Sequence, residues 1–154
     1  MRVRCLELST MRCLMLTLAA SLSFCFSGCG SADGLGQVTG VVKLDGKPLP
    51  EASVEFTPVS GKGMTSYGRT DSNGYYYIMA SRSAKGAAVG TNKVKISTYE
   101  VIDNSHSIPE KVPTKYNSAS ELQAEVKSGS NTFDFDLSTS GGRVVNRKND
   151  PSNQ

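Results

Sequence analysis

The sequence predicts an all-β fold, a seven-stranded antiparallel β-sandwich, on three observations. Between Gln37 and Leu137 apolar and polar residues alternate in seven short runs, the period-two pattern of half-buried strands. Gly, Pro, Asp and Asn separate the runs, and these residues punctuate strands through positive φ, blocked ladder pairing or local side-chain turns. No stretch of that region carries apolar residues at helical spacing over the length of a helix. A strand with one apolar face needs a second sheet to cover it, while its other face stays wet. The region holds about a hundred residues, a common size for one domain.

Gln37–Leu44 reads as the first strand, with Val38, Val42 and Leu44 on one face. Asp45-Gly46-Lys47-Pro48-Leu49-Pro50 is a turn, because Gly46 permits positive φ and each Pro blocks pairing. Ala52–Thr57 alternates cleanly, with Ala52, Val54 and Phe56 inward and Ser53 and Glu55 outward. Pro58 to Gly63 is a loop. Thr65–Thr70 and Tyr75–Met79 flank Asp71-Ser72-Asn73-Gly74, a hairpin turn in which Asp71 bonds the backbone ahead and Asn73-Gly74 tolerate left-handed φ. In the second arm Tyr76 and Ile78 share one side, and Tyr75, Tyr77 and Met79 the other. Ser81 to Thr91 is a loop rich in Ser, Ala and Gly.

Asn92–Tyr99 follows as a strand, with Val94 and Ile96 inward and Lys93 and Lys95 outward. Ile102 to Ser120 is polar and contains Pro109 and Pro113; connections that long are often functional or mobile. Leu122, Ala124 and Val126 mark another strand. Asn131–Leu137 closes the domain, with Phe133, Phe135 and Leu137 in and Asp134 and Asp136 out. From Ser138 to Gln154 no pattern persists, which predicts a disordered tail.

The first thirty residues are of another kind. Arg2, Arg4 and Arg12 form a positive head, Cys13 to Phe26 carries no charge, and Ser27-Gly28 places two small residues before Cys29. That is the layout of a secretory signal, too short to span a bilayer comfortably as a permanent helix. Met11, followed by Arg12, offers a second start that would make the signal more compact. The small-small-Cys ending resembles the lipobox of bacterial lipoproteins, whose cysteine is acylated and becomes the new N-terminus. The resemblance implies a signal peptide over residues 1–28, lipidation of Cys29 with palmitate-type chains, and a flexible tether over 29–36. Durable anchoring takes more than one chain, and bacterial lipoproteins typically carry two or three. By analogy with Gram-negative bacteria, Gly30 in place of Asp after the cysteine implies the outer membrane. The competing readings are a plain signal peptide that leaves Cys29 a loose thiol, and a buried helix, against which the basic head argues.

Cys5, Cys13 and Cys25 lie in the segment to be removed, and no cysteine follows Cys29. The exported domain therefore has no disulfide framework, thiolate metal site or catalytic thiol, and must stand on its core. Losing Arg2, Arg4, Arg12 and Glu7 with the signal leaves fourteen basic residues facing thirteen acidic ones. That near-neutral, scattered charge argues against a nucleic-acid partner.

Three stretches carry a second resemblance. They are Gly40-Val41-Val42-Lys43-Leu44-Asp45-Gly46-Lys47-Pro48-Leu49, then Ala52-Ser53-Val54-Glu55-Phe56, then Thr70-Asp71-Ser72-Asn73-Gly74-Tyr75-Tyr76-Tyr77-Ile78. Together they resemble the carboxypeptidase regulatory-like domain, with its G-x-V strand, D-G-x-P-L turn, A-x-V-x-F strand and T-D-x-x-G-x-Y hairpin. Gly90, Val94 and Ile96 are similar to a later strand of that family, and Asn92 takes the place of its usual aromatic. The run from Val112-Pro113-Thr114-Lys115-Tyr116-Asn117 to Phe133-Asp134-Phe135 looks like the close of small single-domain bacterial lipoproteins. The resemblance spans nearly all of residues 37–137. It implies a Greek-key sandwich of transthyretin (prealbumin) type serving as an accessory module without catalysis, and fold alone does not settle function.

Each candidate site has a plainer explanation beside it. His106 is the only histidine, next in the loop to Ser105 and Ser107 and near Asp103; a general base needs an orienting partner, and a solvated loop explains these residues as well. The transthyretin-like fold includes a purine-pathway hydrolase that uses several histidines and a Tyr-Arg-Gly-Ser ending, and this chain has neither. No catalytic residue is therefore assigned. Asp71-x-Asn73-Gly74 resembles half a calcium loop, but the downstream ligands are replaced by Tyr75 to Ile78, so no metal or cofactor is expected. Surface adhesins of related architecture join a Lys on the first strand to an Asn on the last, which here would be Lys43 and Asn131, with Glu55 as assisting acid only if it faced inward. Tyr75 and Tyr77 are expected on an exposed sheet face with Tyr67 opposite. There they would stabilise across strands, bind a protein, or stack on a sugar, a reading that the absence of Trp disfavours. The sequence thus predicts a lipid-anchored, non-catalytic envelope module. Its partners would be the membrane through Cys29 and an envelope protein or polysaccharide.

Overall fold

The computed structural model describes residues 34–103, 106–140 and 142–145. The signal segment, Cys29 and the last part of the tail lie outside the described residues. The described chain is nearly all β. Its strands are β1 (Leu35–Leu44), β2 (Lys47–Pro48), β3 (Ser53–Pro58), β4 (Ser66–Arg69), β5 (Tyr75–Tyr77), β6 (Ala87–Ala88), β7 (Gly90–Ser97), β8 (Glu100–Val101), β9 (Ser107–Ile108), β10 (Gln123–Val126), β11 (Gly129–Thr132) and β12 (Phe135–Leu137), with one 3-10 turn at Thr114–Tyr116. The seven expected runs correspond to β1, β3, β4, β5, β7, β10 and the β11–β12 pair.

The first sheet is built around β1, which has neighbours on both edges. On one edge β6, β5 and β2 pair with it antiparallel in succession. On the other edge β11 covers its first half and β12 its second, both parallel. The second sheet, in the order β10-β7-β3-β4, is antiparallel throughout. Val38, Val42, Tyr76, Ile78 and Leu137 from the first sheet bury against Val54, Phe56, Val94, Ile96 and Val126 from the second, in one core. The alternation in β1, β3 and β7 is what delivers those side chains to one side. At one edge the sheets are stitched together. The hairpin arms β4 and β5 belong to different sheets, and Tyr67 and Met79 join them by exchanging both backbone bonds, at 2.9 and 2.8 Å.

Five features differ from the sequence reading. The last strand runs parallel to the first, because the turn at Lys127-Ser128 carries the chain from the second sheet across to the first instead of back along its neighbour. Period-two alternation is the same in either direction, so the pattern could not reveal this. The turn after β1 is a tight hairpin, with Asp45 and Gly46 at φ 51° and 75°, and Lys47 and Pro48 pair back onto Leu44 and Lys43. In the hairpin at Asp71–Gly74 only Gly74 has positive φ, while Asp71 Oδ1 accepts from the Asn73 and Tyr75 amides at 2.8 and 2.9 Å. β1 begins at Leu35, two residues into the expected tether. The tail is held as far as it is described: Thr139 donates its amide (3.0 Å) and hydroxyl (2.7 Å) to Asp45, and the Arg143 carbonyl accepts from Thr114 at 2.8 Å.

Candidate functional site

Tyr75 and Tyr77 point outward from β5 because Tyr76 between them points in. They are 44% and 58% exposed, and they sit beside Val41 and Thr39 of β1 on the outer face of the first sheet. Tyr67, 54% exposed, projects from β4 at the stitched edge. Tyr67 and Tyr77 line a shallow groove of about 390 Å³ with Ser53, Arg69 and Met79, and Tyr75 lies outside it. Arg69 is already engaged there: it clamps Glu100 through both terminal guanidinium nitrogens at 3.1 and 2.6 Å and donates Nε–H to Glu51 at 2.7 Å. Those two carboxylates push the guanidinium pKa further up. The groove therefore offers aromatic and thioether surface rather than a free cation.

A second candidate, absent from the sequence reading, is a groove of about 490 Å³ on the outer face of the second sheet. Its floor is Ser53, Glu55, Lys95 and Ser97; its wall is Tyr99, Glu110 and the 3-10 segment. Glu55 faces out, where its Oε1 accepts from Lys95 (3.3 Å) and from the Thr57 hydroxyl (2.9 Å). Glu110 is buried. Its Oε1 accepts from the Thr98 amide (2.9 Å), the Thr98 hydroxyl (3.0 Å), the Lys111 amide (3.1 Å) and the Val112 amide (2.9 Å), and its Oε2 from the Ser97 hydroxyl (2.5 Å). A carboxylate so occupied anchors the long 102–120 segment to the end of β7. Only a glutamate between two prolines marked it in the sequence, too weak a signal to find it.

The remaining candidates fall apart on geometry. Lys43 pairs with Asp136, whereas Asn131 pairs with Val38, five residues away along β1, or about 16 Å at strand spacing. The Asn131 amide is also consumed: it donates to the carbonyls of Gln37, Lys127 and Gly129 and accepts from the Lys127 amide. With Glu55 outward as well, the crosslink reading is overturned. His106 Nδ1 lies 2.9 Å from Asp103 Oδ2, both side chains exposed, and the same carboxylate takes the His106 amide. The pair staples the end of the β8–β9 hairpin. Asp71 spends Oδ1 on its own turn, and among the described residues no three His, Cys, Asp or Glu side chains converge as a metal site. Asn92 is buried and donates to the Ala88 and Gly90 carbonyls at 2.8 and 2.9 Å, closing the entry into β7. Family models, curated proteins and solved structures return no match to this chain.

Proposed function

We propose that this chain is a lipid-anchored, non-catalytic module of the bacterial cell envelope, most simply at the outer membrane, that presents a rigid sandwich to a protein partner. On this reading the longer strands form a seven-stranded Greek key of the transthyretin, carboxypeptidase regulatory-like kind. The lipobox ending at Cys29 supports the anchor, and β1, the Asp45-Gly46 hairpin and the Asp71–Gly74 hairpin coincide with the motifs that carry the family resemblance. The observation that carries the partner is the tyrosine face. Three large aromatic side chains stand exposed on paired strands whose opposite faces are core, so their positions are fixed before anything binds.

Replacing Tyr75 and Tyr77 together by Ala tests it in the full chain. The double variant is expected to lose the protein co-purified from detergent-solubilised envelope while its thermal midpoint stays within a few degrees of the parent. Unfolding of the variant would show instead that the tyrosines pack the sheet. A second reading, a polysaccharide-binding module, is favoured by one feature: Tyr67 and Tyr77 line a common groove with Ser53. Retention on envelope polysaccharide that Tyr67→Ala abolishes would select it.

A further inference from the structure

The lipid anchor proposed above leaves open which end of the sandwich meets the membrane. We propose that the pole formed by the 59–65 loop and the corner before β7 lies against anionic phospholipid, with Val59, Met64 and Val89 among the headgroups. The inference rests on the anchor reading.

The chain enters the domain at this pole. The Gly34 carbonyl accepts the Val89 amide at 2.9 Å, and Leu35 pairs with Ala88. Four residues, and so five Cα–Cα steps, separate Cys29 from Gly34, a reach of at most about 17 Å when fully extended. The opposite pole, at the far end of the ten-residue β1, stands about 30 Å further away. An acylated Cys29 therefore delivers one pole to the bilayer.

That pole has the surface a bilayer would select. Val59, Met64 and Val89 are 58%, 63% and 47% exposed. They belong to one surface: the Val59 amide donates to Thr91 at 3.0 Å, and a Cβ on Gly63 would touch that of Ala88 at 3.2 Å. Lys62 in the loop and Lys127 in the turn after β10 are exposed at the same end. Among the described residues the carboxylate at this end is Glu125, whose Oε2 accepts the Thr91 hydroxyl at 2.6 Å, and Asp33 adjoins Gly34 in the tether. Asp45, Glu51, Asp71 and Glu100 all lie at the other pole, next to the far ends of β1, β3, β4 and β7. Apolar side chains flanked by Lys62 and Lys127 fit an interface of acyl chains and phosphate.

The test uses the full chain, purified as the mature lipoprotein and placed in vesicles of phosphatidylethanolamine with a minority of phosphatidylglycerol. Met64→Cys and, as a control at the acidic pole, Ile102→Cys each carry a polarity-sensitive fluorophore; acylation leaves the new thiol the only free one. The label at position 64 is expected to be quenched by lipid-borne nitroxide and shielded from aqueous iodide, and the label at 102 to behave in the opposite way. If position 64 is quenched by iodide as strongly as 102 in a chain whose mass carries its acyl chains, this inference falls and the anchor stands. A mature mass with bare Cys29 overturns both.

Discussion

At Gly40 the inner side of β1 has no room for a side chain, since a Cβ there would fall well inside contact distance of the Phe133 carbonyl. That carbonyl turns inward where β11 gives way to β12 and accepts the Tyr76 hydroxyl at 2.7 Å. The Val41 amide bonds Asp134 Oδ1 at 2.8 Å. One break in the ladder thus supplies the partner of the largest buried side chain. Gly40→Ala is expected to cost about 3 kcal/mol or more in urea unfolding, because the obstacle is backbone and cannot rotate away. At this scale the sequence was partly legible. Alternation placed Tyr76 opposite Tyr75 and Tyr77, but which carbonyl Tyr76 would meet depends on a strand 57 residues away. The same holds for Asn92, whose burial follows from strand period while its backbone partners do not.

Among elements, the 102–120 segment was the least legible. It has no alternation to read, and what orders it is non-local: Glu110 on Ser97 and Thr98, the Ser120 hydroxyl on the Val94 carbonyl, and the Thr114 amide on Arg143. Removing Glu110 would strand buried amides of Thr98 and Val112. Glu110→Ala should therefore lose about 2–3 kcal/mol, and Glu110→Gln, which keeps an acceptor oxygen, distinctly less. Hydrogen exchange would report where the loss falls, with faster exchange at Thr98 and Val112 and little change in β1 or β3. Equal costs for both substitutions would mean that the carboxylate's packing, not its acceptor capacity, holds the segment. The long strands β1, β3 and β7 were legible because each buries a single face against the core; the pieces β2, β6, β8 and β9, two residues each, are too short to show any period.

Over the whole molecule, the sequence foretold two covered sheets but not the direction of the last strand or which carboxylates gather at one pole, both of which require the register. Opposite shifts at those carboxylates and at Tyr76 make the response to acid and alkali different. Hydrogen bonds from the Thr139 hydroxyl and amide hold Asp45 below the usual carboxylate range, and the Arg69 guanidinium does the same for Glu100. Groups with lowered folded pKa values contribute stability that is present above about pH 4 and lost as pH falls through their lowered values. Both lie at the acidic pole, so acid should expose the Thr139 amide and the β8–β9 hairpin to exchange while β1, β3 and β7 keep their protection. Tyr76 behaves oppositely. Burial, and secondarily the nearby Asp134 charge, raise its pKa. Its contribution is therefore complete below about pH 10 and declines above it, where the unfolded chain sheds a proton that the fold retains. The hydroxyl joins the two halves of the first sheet through Phe133, so alkali should unfold the sandwich as one unit. Far-ultraviolet circular dichroism and hydrodynamic radius should then change together. In Tyr76→Phe, less stable at neutral pH for want of that bond, the alkaline decline should be reduced. An unchanged decline in that variant would place the alkaline-sensitive proton elsewhere.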